Sequence, residues 1–373
     1  MITASILGLW NGSFVLETRA AGFREESNTM KPDFSHVPGM VIAHFPVRKS
    51  RNYIGSPSIC ILPNGDYIAS HDVFGPDSTM RDQGVTKIYR STDRGMTWAN
   101  ISEIKGQFWS NLFVHQGVLY VMGTWKYEGD VVIRRSRDGG VSWSEPKDRT
   151  TGLLLQGMYA TAPVPVVKYR GRLWRAIEYV WSPSAKHPER YAALMVSAPE
   201  NADLLDASNW TTTNWLAPDT NLLGGKFRGW IEGNAVVTPA GEMVNMIRAY
   251  TPQGRQIAVI TVADDGSVAS FDPEAGFVDF LGGGSGQLKF TIRYDNASNR
   301  YWTIANRGGR ARIILASTPD LKTWTEHKLL HEGPAKNHGF QYVDWQYEGS
   351  DIIYVSLTAF AFDLVGAEKI LNA

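Results

Sequence analysis

Short runs rich in Val, Ile, Tyr and Trp recur along the chain from Tyr53 onward, and in several of them apolar residues alternate with polar ones. A period of two predicts β-strands. Pairs of runs are separated by turns, and the first turn, Pro63-Asn-Gly-Asp66, is a strong hairpin signal. The corresponding turns are His115-Gln-Gly117, Tyr169-Arg-Gly171, Pro239-Ala-Gly241, Asn296-Ala-Ser-Asn299 and Tyr347-Glu-Gly349.

These turns divide the chain into six modules, which begin near residues 53, 107, 158, 230, 288 and 339. A spacing of about 50 residues suits a blade of four antiparallel strands, so the pattern predicts an all-β propeller in which residues 1–373 form one domain. Within an N-terminal segment, residues 1–50, we assign a strand at 40–46 to closing the ring against the last blade. A seventh blade stays open if residues 1–50 supply most of it.

A second repeat, Ser-x-Asp-x-Gly-x-Ser/Thr-Trp, occurs at residues 91–98 and 136–143 and, degraded, at 317–324. Its Asp and Ser side chains can accept backbone N–H groups in a tight turn, its Gly allows a positive φ, and its Trp can pack between sheets. The repeat resembles the Asp-box of sialidase-type β-propellers. The resemblance implies that fold but says little about function, because Asp-boxes lie in turns away from the chemistry.

Composition excludes several classes of protein. The 37 Lys and Arg balance the 37 Asp and Glu, which argues against a nucleic-acid partner. Cys60 is the single cysteine, so neither an intramolecular disulfide nor a thiolate metal cluster is expected. No apolar run reaches the ~20 residues of a membrane span, and the N-terminus shows no clear signal peptide.

Propeller geometry predicts where a site lies. The first strand of each blade runs from the mouth to its turn and the second returns, so the mouth receives the start of the first strand and the end of the second. Arg, Lys and aromatic residues concentrate there, which favours an anionic ligand such as a carboxylate. The candidate ligand-binding residues are Asp72, Trp109, Lys126, Tyr127, Glu178, Trp230, Glu232, Arg248, Arg307, His338 and Tyr342.

Each candidate also has a structural interpretation. A Trp or Tyr at these positions can pack between blades, and an Arg at a strand end can form a rim salt bridge. His71 directly precedes Asp72, which could orient its ring.

Two known families match the sequence to different degrees. Sialidases carry an Arg near the start of the first blade, as one of three arginines that bind a carboxylate, but the matching stretch here has Gly55, which argues against sialidase activity. Other stretches over residues 38–360 resemble rhamnosyl-glucuronate lyases and related α-L-rhamnosidases that act on arabinogalactan. These stretches include Tyr53-Ile-Gly-Ser-Pro57, Gly106-Gln-Phe-Trp-Ser110, Gly171-Arg-Leu-Trp-Arg-Ala176, Gly229-Trp-Ile-Glu-Gly-Asn234 and His338-Gly-Phe-Gln-Tyr-Val-Asp-Trp345.

This resemblance implies a substrate with terminal L-rhamnose α-1,4-linked to D-glucuronate, cleaved by β-elimination. Elimination requires a cation on the carboxylate, a base for the C5 proton and an acid for the leaving oxygen. We expect Arg175 and Arg228 to hold the carboxylate, and Tyr159 or His71 to act as base or acid.

Two alternatives stay open. One is hydrolysis of the α-L-rhamnosidase type, for which His44 is the alternative catalytic residue, and the other is a non-catalytic glycan-binding propeller. The sequence requires no cofactor, although a cation in the central channel is a further alternative. The resemblance implies a secreted or periplasmic protein that binds an acidic oligo- or polysaccharide, and we expect a monomer.

Overall fold

The computed structural model describes residues 2–8, 34, 37, 39–45, 51–251, 257–281, 288–333 and 338–360. Strands dominate these residues, and two short helical turns occur among them, Ala207–Asn209 and Leu222–Gly225. Within the described part of the chain, no helix has the length and apolar character needed to cross a membrane. The prediction of an all-β chain is confirmed.

The described strands are numbered in chain order and form six antiparallel blades. The N-terminal strands are β1 (Ile2–Gly8) and β2 (Met40–Phe45). Blade one contains β3 (Tyr53–Ile61), β4 (Tyr67–Phe74), β5 (Val85–Ser91) and β6 (Ala99–Lys105). Blade two contains β7 (Phe108–His115), β8 (Val118–Thr124), β9 (Gly129–Ser136) and β10 (Leu153–Ala160). Blade three contains β11 (Val167–Tyr169), β12 (Arg172–Val180), β13 (Tyr191–Pro199) and β14 (Thr211–Thr212).

The second half of the chain continues the pattern. Blade four contains β15 (Trp230–Val237), β16 (Met243–Ala249), β17 (Ile257–Val262), β18 (Ala269–Phe271) and β19 (Phe277–Val278). Blade five contains β20 (Phe290–Asp295), β21 (Arg300–Asn306), β22 (Arg312–Thr318) and β23 (Thr325–Glu332). Blade six contains β24 (His338–Glu348) and β25 (Asp351–Phe360), followed across the sheet by β1 and β2.

The six predicted turns join the first and second strands of the six blades, and the described strands form six blades rather than seven. β1 pairs with β25 from Ile2↔Ala359 to Gly8↔Ile353, and β2 pairs with β1. Strands from the two ends of the described chain therefore share blade six. Blades two and three are joined because the end of β10 pairs with β12, at Tyr159↔Tyr179.

The first strands of the blades pack side by side around the centre, with β3 against β7 and β24, and β15 against β11 and β20. Small polar side chains connect them. Ser58 Oγ donates a 2.6 Å hydrogen bond to Asp344 Oδ2, and Arg293 Nη2 donates a 2.9 Å bond to Asp344 Oδ1. These hydrogen bonds join blades one, five and six. They also give partners to polar groups that would otherwise be buried without one.

Apolar side chains fill the space between neighbouring blades, so both faces of a blade are covered. The cluster between blades four and five includes Met246, Ile257, Phe290 and Ile314. Between blades five and six, Trp345 is fully buried and its Nε1 donates a 2.9 Å bond to the Thr291 carbonyl. A buried indole with its N–H satisfied explains why this chain spends so many Trp residues on packing.

The two complete Asp-boxes adopt the same turn. Asp93 Oδ1 accepts the Thr97 N–H at 2.9 Å, and Asp138 Oδ1 accepts the Ser142 N–H at 2.9 Å. The box begins where Ser91 pairs with Tyr67, beside the 63–66 turn, so it lies at the opposite end of the blade from Asp72. In the degraded third copy, Leu321 takes the left-handed conformation, φ 61°, that Gly takes in the other two.

A β-bulge interrupts the first strand of blades one, two, four and six, near its start. At each bulge a residue other than Gly has a positive φ: Ser56 (45°), Trp109 (49°), Glu232 (65°) and Tyr342 (47°). Bulges re-aim side chains, and strained backbone of this kind concentrates at functional sites. The repeated bulge therefore marks one end of the propeller as the place to look for a site.

Candidate active site

Glu232 lies at the centre of a buried ionic cluster at this bulged end, and the residue is 8% exposed. Lys289 Nζ lies 2.6 Å from Glu232 Oε1, and Tyr342 Oη donates a 2.7 Å hydrogen bond to the same oxygen. Arg248 Nη1 lies 3.3 Å from Glu232 Oε2. The carboxylate therefore connects groups from blades four, five and six, and the bulge in β15 is what turns it toward them.

The neighbouring cations decide the ionisation of Glu232. Burial by itself raises the pKa of this carboxyl, but Arg248 and Lys289 outweigh burial and lower the pKa to about 2. Glu232 is therefore an anion at neutral pH.

Tyr342 lies between the anion and the lysine. Lys289 Nζ is 2.6 Å from Tyr342 Oη and 3.9 Å from the centroid of the phenol ring. Burial and the charge of Glu232 raise the pKa of Tyr342, whereas burial and the charge of Arg248 lower the pKa of Lys289. A hydroxyl bonded to a carboxylate, which is itself oriented by further groups, has the geometry of a nucleophile and its base.

Arg310 is a member of this cluster that the sequence analysis did not find. Its carbonyl accepts the Phe340 N–H at 2.8 Å, which holds it beside the start of β24. The charge of Arg310 acts on Tyr342, Arg248 and Glu232, and burial lowers the pKa of Arg310. A signal existed in the sequence, because Gly308-Gly309 marks a loop at the mouth end of blade five, directly before this Arg.

His187 is the second residue that the sequence analysis missed. Its ring lies edge-on to Tyr191 and Tyr250, with centroid distances of 5.6 and 5.4 Å. Burial and the charge of Arg248 lower the pKa of His187 to about 4, so the ring is neutral at neutral pH. His187 lies on the loop between β12 and β13, where no strand periodicity predicts side-chain direction.

Cations concentrate in the cluster, which favours an anionic ligand. Arg248, Arg310 and Lys289 lie around one ionised carboxylate, and Arg248 also donates a 2.6 Å bond to Tyr250 Oη. Guanidinium groups bind carboxylates and similar anions through paired hydrogen bonds, so this set of cations suits such a ligand.

Glu178, at the end of β12, supplies a second carboxyl next to the first. Its Oε1 accepts the Gly233 N–H at 3.0 Å, directly after Glu232 in the chain. Its Oε2 is buried and has no hydrogen-bond partner in the described part of the chain. Burial and the charge of Glu232, opposed by the bond from Gly233, raise the pKa of Glu178 to about 8. Two neighbouring carboxyls with pKa values pushed apart are the arrangement of an acid and a base.

The structure brings together four of the candidate ligand-binding residues, Glu178, Glu232, Arg248 and Tyr342. Trp109 lies next to them, because it shares one apolar cluster with Tyr127, Ile231 and Tyr250. Its ring centroid is 4.6 Å from that of Tyr127.

The four expected catalytic residues do not meet in one place. Arg175 is 0% exposed, and its guanidinium bonds the Met122 and Ala162 carbonyls, which leaves little of it for a ligand. Arg228 is exposed and pairs with Glu189. Tyr159 is partly buried against Tyr179, with ring centroids 5.4 Å apart, and burial raises its pKa instead of lowering it.

His71 is buried and is not oriented by the Asp72 carboxylate. Consecutive side chains on a strand point to opposite faces, so His71 Nδ1 meets only the Asp72 carbonyl, at 3.1 Å, while Nε2 meets Tyr89 Oη at 3.2 Å. The Asp72 carboxylate instead accepts the Trp109 N–H at 2.6 Å. Asp72 thus holds the bulge of the next blade, as Glu178 does for blade four.

Among the remaining candidates whose side chains the structure describes, none is hydrogen-bonded or ion-paired to Glu232. His44 is on β2, the outermost strand of blade six, where its ring contacts Phe34. Trp230 packs against Phe227, and Arg307 pairs with Glu326 on the surface. Two remain: Lys126, which is partly exposed at the end of blade two, and His338, whose side chain lies outside the described residues. Over the described ranges, no group of three or more His, Cys, Asp or Glu side chains is arranged to hold a metal ion.

Comparison of the sequence with protein-family models and with curated proteins finds no match. Solved structures do match. An α-L-arabinanase from Penicillium chrysogenum complexed with arabinobiose is 15% identical, with 84% of this chain and 94% of that chain covered and a TM-score of 0.51. An α-L-arabinofuranosidase from Fusarium graminearum in complex with an iminosugar inhibitor is 12% identical, with 84% and 94% covered and a TM-score of 0.53.

A protein of unknown function from Dyadobacter fermentans is similar to the same degree, at 14% identity, 84% and 96% coverage and a TM-score of 0.53. Identities this low establish the fold alone. Together with the six antiparallel blades and their Asp-box turns, these likenesses show that this chain is a β-propeller of the sialidase-like type.

Proposed function

We propose that this protein is a carbohydrate-active enzyme that cleaves a glycosidic bond by hydrolysis at the Glu232 cluster, in a glycan that carries an anionic group. The observation that carries the proposal is the 2.7 Å hydrogen bond from Tyr342 to Glu232, with Lys289 on the same oxygen and a second buried carboxyl, Glu178, bonded to the adjacent Gly233. The arabinanase and arabinofuranosidase that share the fold add support for a saccharide ligand.

Each group has a role in this scheme. Tyr342 Oη attacks the anomeric carbon and passes its proton to Glu232, while Lys289 stabilises the developing phenolate charge. Glu178 gives its proton to the leaving oxygen as the glycosidic bond breaks. Water then attacks the anomeric carbon and gives a proton to the ionised Glu178, and Glu232 returns its proton to the phenolic oxygen of Tyr342 as the bond between the sugar and Tyr342 breaks. The positive charges of Arg248 and Arg310 attract the anionic group of the substrate.

The second candidate is the β-elimination that removes L-rhamnose from D-glucuronate in arabinogalactan-type glycans. The observation that favours it is the group of cations around a phenol, since Arg248 and Arg310 suit a uronate carboxylate and Tyr342 beside Lys289 suits a base for the C5 proton. In this version the catalytic cations are these two arginines rather than Arg175 and Arg228, because Arg175 is engaged by carbonyl groups.

One digestion separates these candidates. The purified protein is incubated with rhamnose-capped arabinogalactan and with linear arabinan, and released sugars are measured together with the ultraviolet absorbance of an unsaturated uronate. We expect released sugar without new absorbance, as hydrolysis requires. Sugar with absorbance would establish elimination, and no product from these or from a broader panel of acidic glycans would leave a glycan-binding propeller.

The pH dependence of the reaction tests the role of Glu178. Hydrolysis needs Glu232 ionised and Glu178 protonated, so kcat/KM is expected to be level from mildly acidic to neutral pH and to fall as the pH rises through about 8. The variant Glu178→Gln removes the proton donor, so kcat/KM on a natural glycan is expected to fall by a factor of about 10²–10⁴. The loss should be much smaller on a 4-nitrophenyl glycoside, whose leaving group needs no acid.

Asp72→Asn provides the matched control, because Asp72 holds a neighbouring bulge through its carboxylate as Glu178 does. Its effect should not depend on the leaving group. An equal loss on both substrates for Glu178→Gln would reduce Glu178 to a positioning residue.

The proposal extends to the setting of the enzyme. A plant or microbial polysaccharide lies outside the cell, so a protein that cleaves it must be exported. A monomer suffices, because all members of the Glu232 cluster come from one chain.

A further inference from the structure

Four aromatic rings form a continuous row beside the end of β12. Their centroids are 5.4 Å apart from Tyr159 to Tyr179, 5.9 Å from Tyr179 to Trp215, and 6.3 Å from Trp215 to Trp181. The two indoles at the end of the row are nearly parallel, at 21°. Trp215 is 50% exposed and Trp181 is 40% exposed, so the indole end of the row is open surface, whereas Tyr159 and Tyr179 are partly buried against an apolar cluster.

The row is held in place by polar contacts. Trp181 Nε1 donates a 3.0 Å bond to the Glu189 carbonyl, and the backbone beside Trp215 is fixed by the bridge between Leu216 and Ala193. Rigid aromatic faces with little side-chain entropy to lose are suited to binding.

The row and the candidate active site share a loop. Tyr179 follows Glu178 directly on β12, so the two side chains point to opposite faces of the strand. The loop between β12 and β13 contributes to both places, because its His187 faces Tyr250 in the Glu232 cluster while its Glu189 carbonyl holds Trp181.

We propose that Tyr159, Tyr179, Trp215 and Trp181 form an accessory glycan-binding surface, which holds a distal segment of the same polysaccharide whose end enters the Glu232 cluster. The inference rests on the proposed function. Sugar rings stack their C–H faces on aromatic rings, so a row of rings spaced at 5 to 6 Å offers successive positions along an extended chain. We name this row the aromatic row.

A protein partner is a weaker candidate for this surface. Protein interfaces bury an apolar core inside a polar rim, whereas the aromatic row is a single line of rings. Contiguous exposed apolar surface is typical of binding sites, and the loop that the row shares with the Glu232 cluster favours a glycan as its occupant.

The experiment compares a polymer with a small substrate. Binding of soluble arabinogalactan and of linear arabinan is measured by affinity gel electrophoresis for the whole protein and for the variant Trp215→Ala, together with turnover of 4-nitrophenyl α-L-arabinofuranoside and 4-nitrophenyl α-L-rhamnopyranoside. We expect Trp215→Ala to weaken polymer binding roughly tenfold, as loss of an aromatic anchor does, and to leave turnover of the small glycosides unchanged.

Two variants serve as controls. Trp215→Phe keeps an aromatic face and should retain most of the polymer affinity. Tyr294→Ala removes another exposed ring, at the opposite end of blade five beside the 296–299 turn, and should have no effect.

The outcomes separate this inference from the proposed function. Unchanged polymer affinity in both Trp215→Ala and Trp181→Ala, or no polymer binding by the unaltered protein, overturns the aromatic row as a glycan surface. Self-association that Trp215→Ala abolishes overturns it in favour of a second copy of this chain. Polymer binding that depends on Trp215 without any cleavage supports the row and removes the hydrolase.

Discussion

Replacing Tyr342 by Phe is expected to lower kcat by about 10²–10⁴ while the propeller stays folded. The substitution removes one oxygen, the atom that lies 2.7 Å from Glu232 Oε1 and 2.6 Å from Lys289 Nζ. The ring, the bulge and the charges of the cluster remain. In the hydrolytic scheme this oxygen is the nucleophile, and in elimination it is the base, so both schemes predict the loss.

The measurement is kcat and KM on the substrate identified by digestion, with the melting temperature as a check on folding. Tyr250→Phe is the matched control, because it removes a phenolic oxygen from the same pocket that bonds Arg248 instead of Glu232. If kcat falls as much in Tyr250→Phe as in Tyr342→Phe, the pocket tolerates no change of this kind. The argument that Tyr342 is the nucleophile would then be lost. Full activity in Tyr342→Phe would exclude Tyr342 from the chemistry.

Replacing Glu232 by Gln is expected to abolish activity and also to lower the free energy of unfolding by about 3–5 kcal/mol. The amide has the same shape but no charge, so Arg248 and Lys289 remain buried without their counter-ion. Breaking a buried ion pair from one side costs more than the pair contributes, because the remaining charge has already lost its water. Urea unfolding at neutral pH measures the difference.

A second substitution tests this explanation. In the double variant Glu232→Gln/Lys289→Met one uncompensated cation is also gone, so part of the lost stability should return, although activity should not. The charge of Glu232 raises the pKa of Lys289, so its loss moves that pKa further below the unfolded value, and the destabilisation of the single variant should shrink as the pH rises toward the unfolded pKa of lysine. A single variant as stable as the unaltered protein would show that solvent screens the cluster.

The fold could be predicted from local patterns because each blade repeats the same local requirements. The Pro63-Asn-Gly-Asp66 turn and its five counterparts all join the first two strands of a blade, since a Gly or Asn at a positive φ is needed wherever the hairpin is tight. Alternation of apolar and polar residues identified the strands between them. The Asp-box needed only eight consecutive residues, so its turn could be predicted without any knowledge of distant contacts.

The site was predictable only in part. The rule that the mouth receives the first-strand starts and second-strand ends selected Glu178, Glu232, Arg248 and Tyr342, which lie together. The same rule selected Arg175 and His71, which are buried among protein groups. The residues that lie together differ from Arg175 and His71 in the face of the strand from which the side chain projects and in the groups that the next blade places opposite it. Neither difference is encoded in the local sequence.

Sequence by itself therefore determined the propeller architecture with six countable blades, the position of their turns and the end of the ring where cations gather, because these follow from residue types at short spacing. It left a seventh blade open, which the pairing of β1 with β25 decided. Only the tertiary structure decided which groups meet. Glu232, Lys289 and Tyr342 are 57 and 53 residues apart along the chain and become neighbours because three first strands converge. Bulges at positive φ turn two of these side chains inward, and the loops that carry Arg310 and His187 have no period from which their direction could be read.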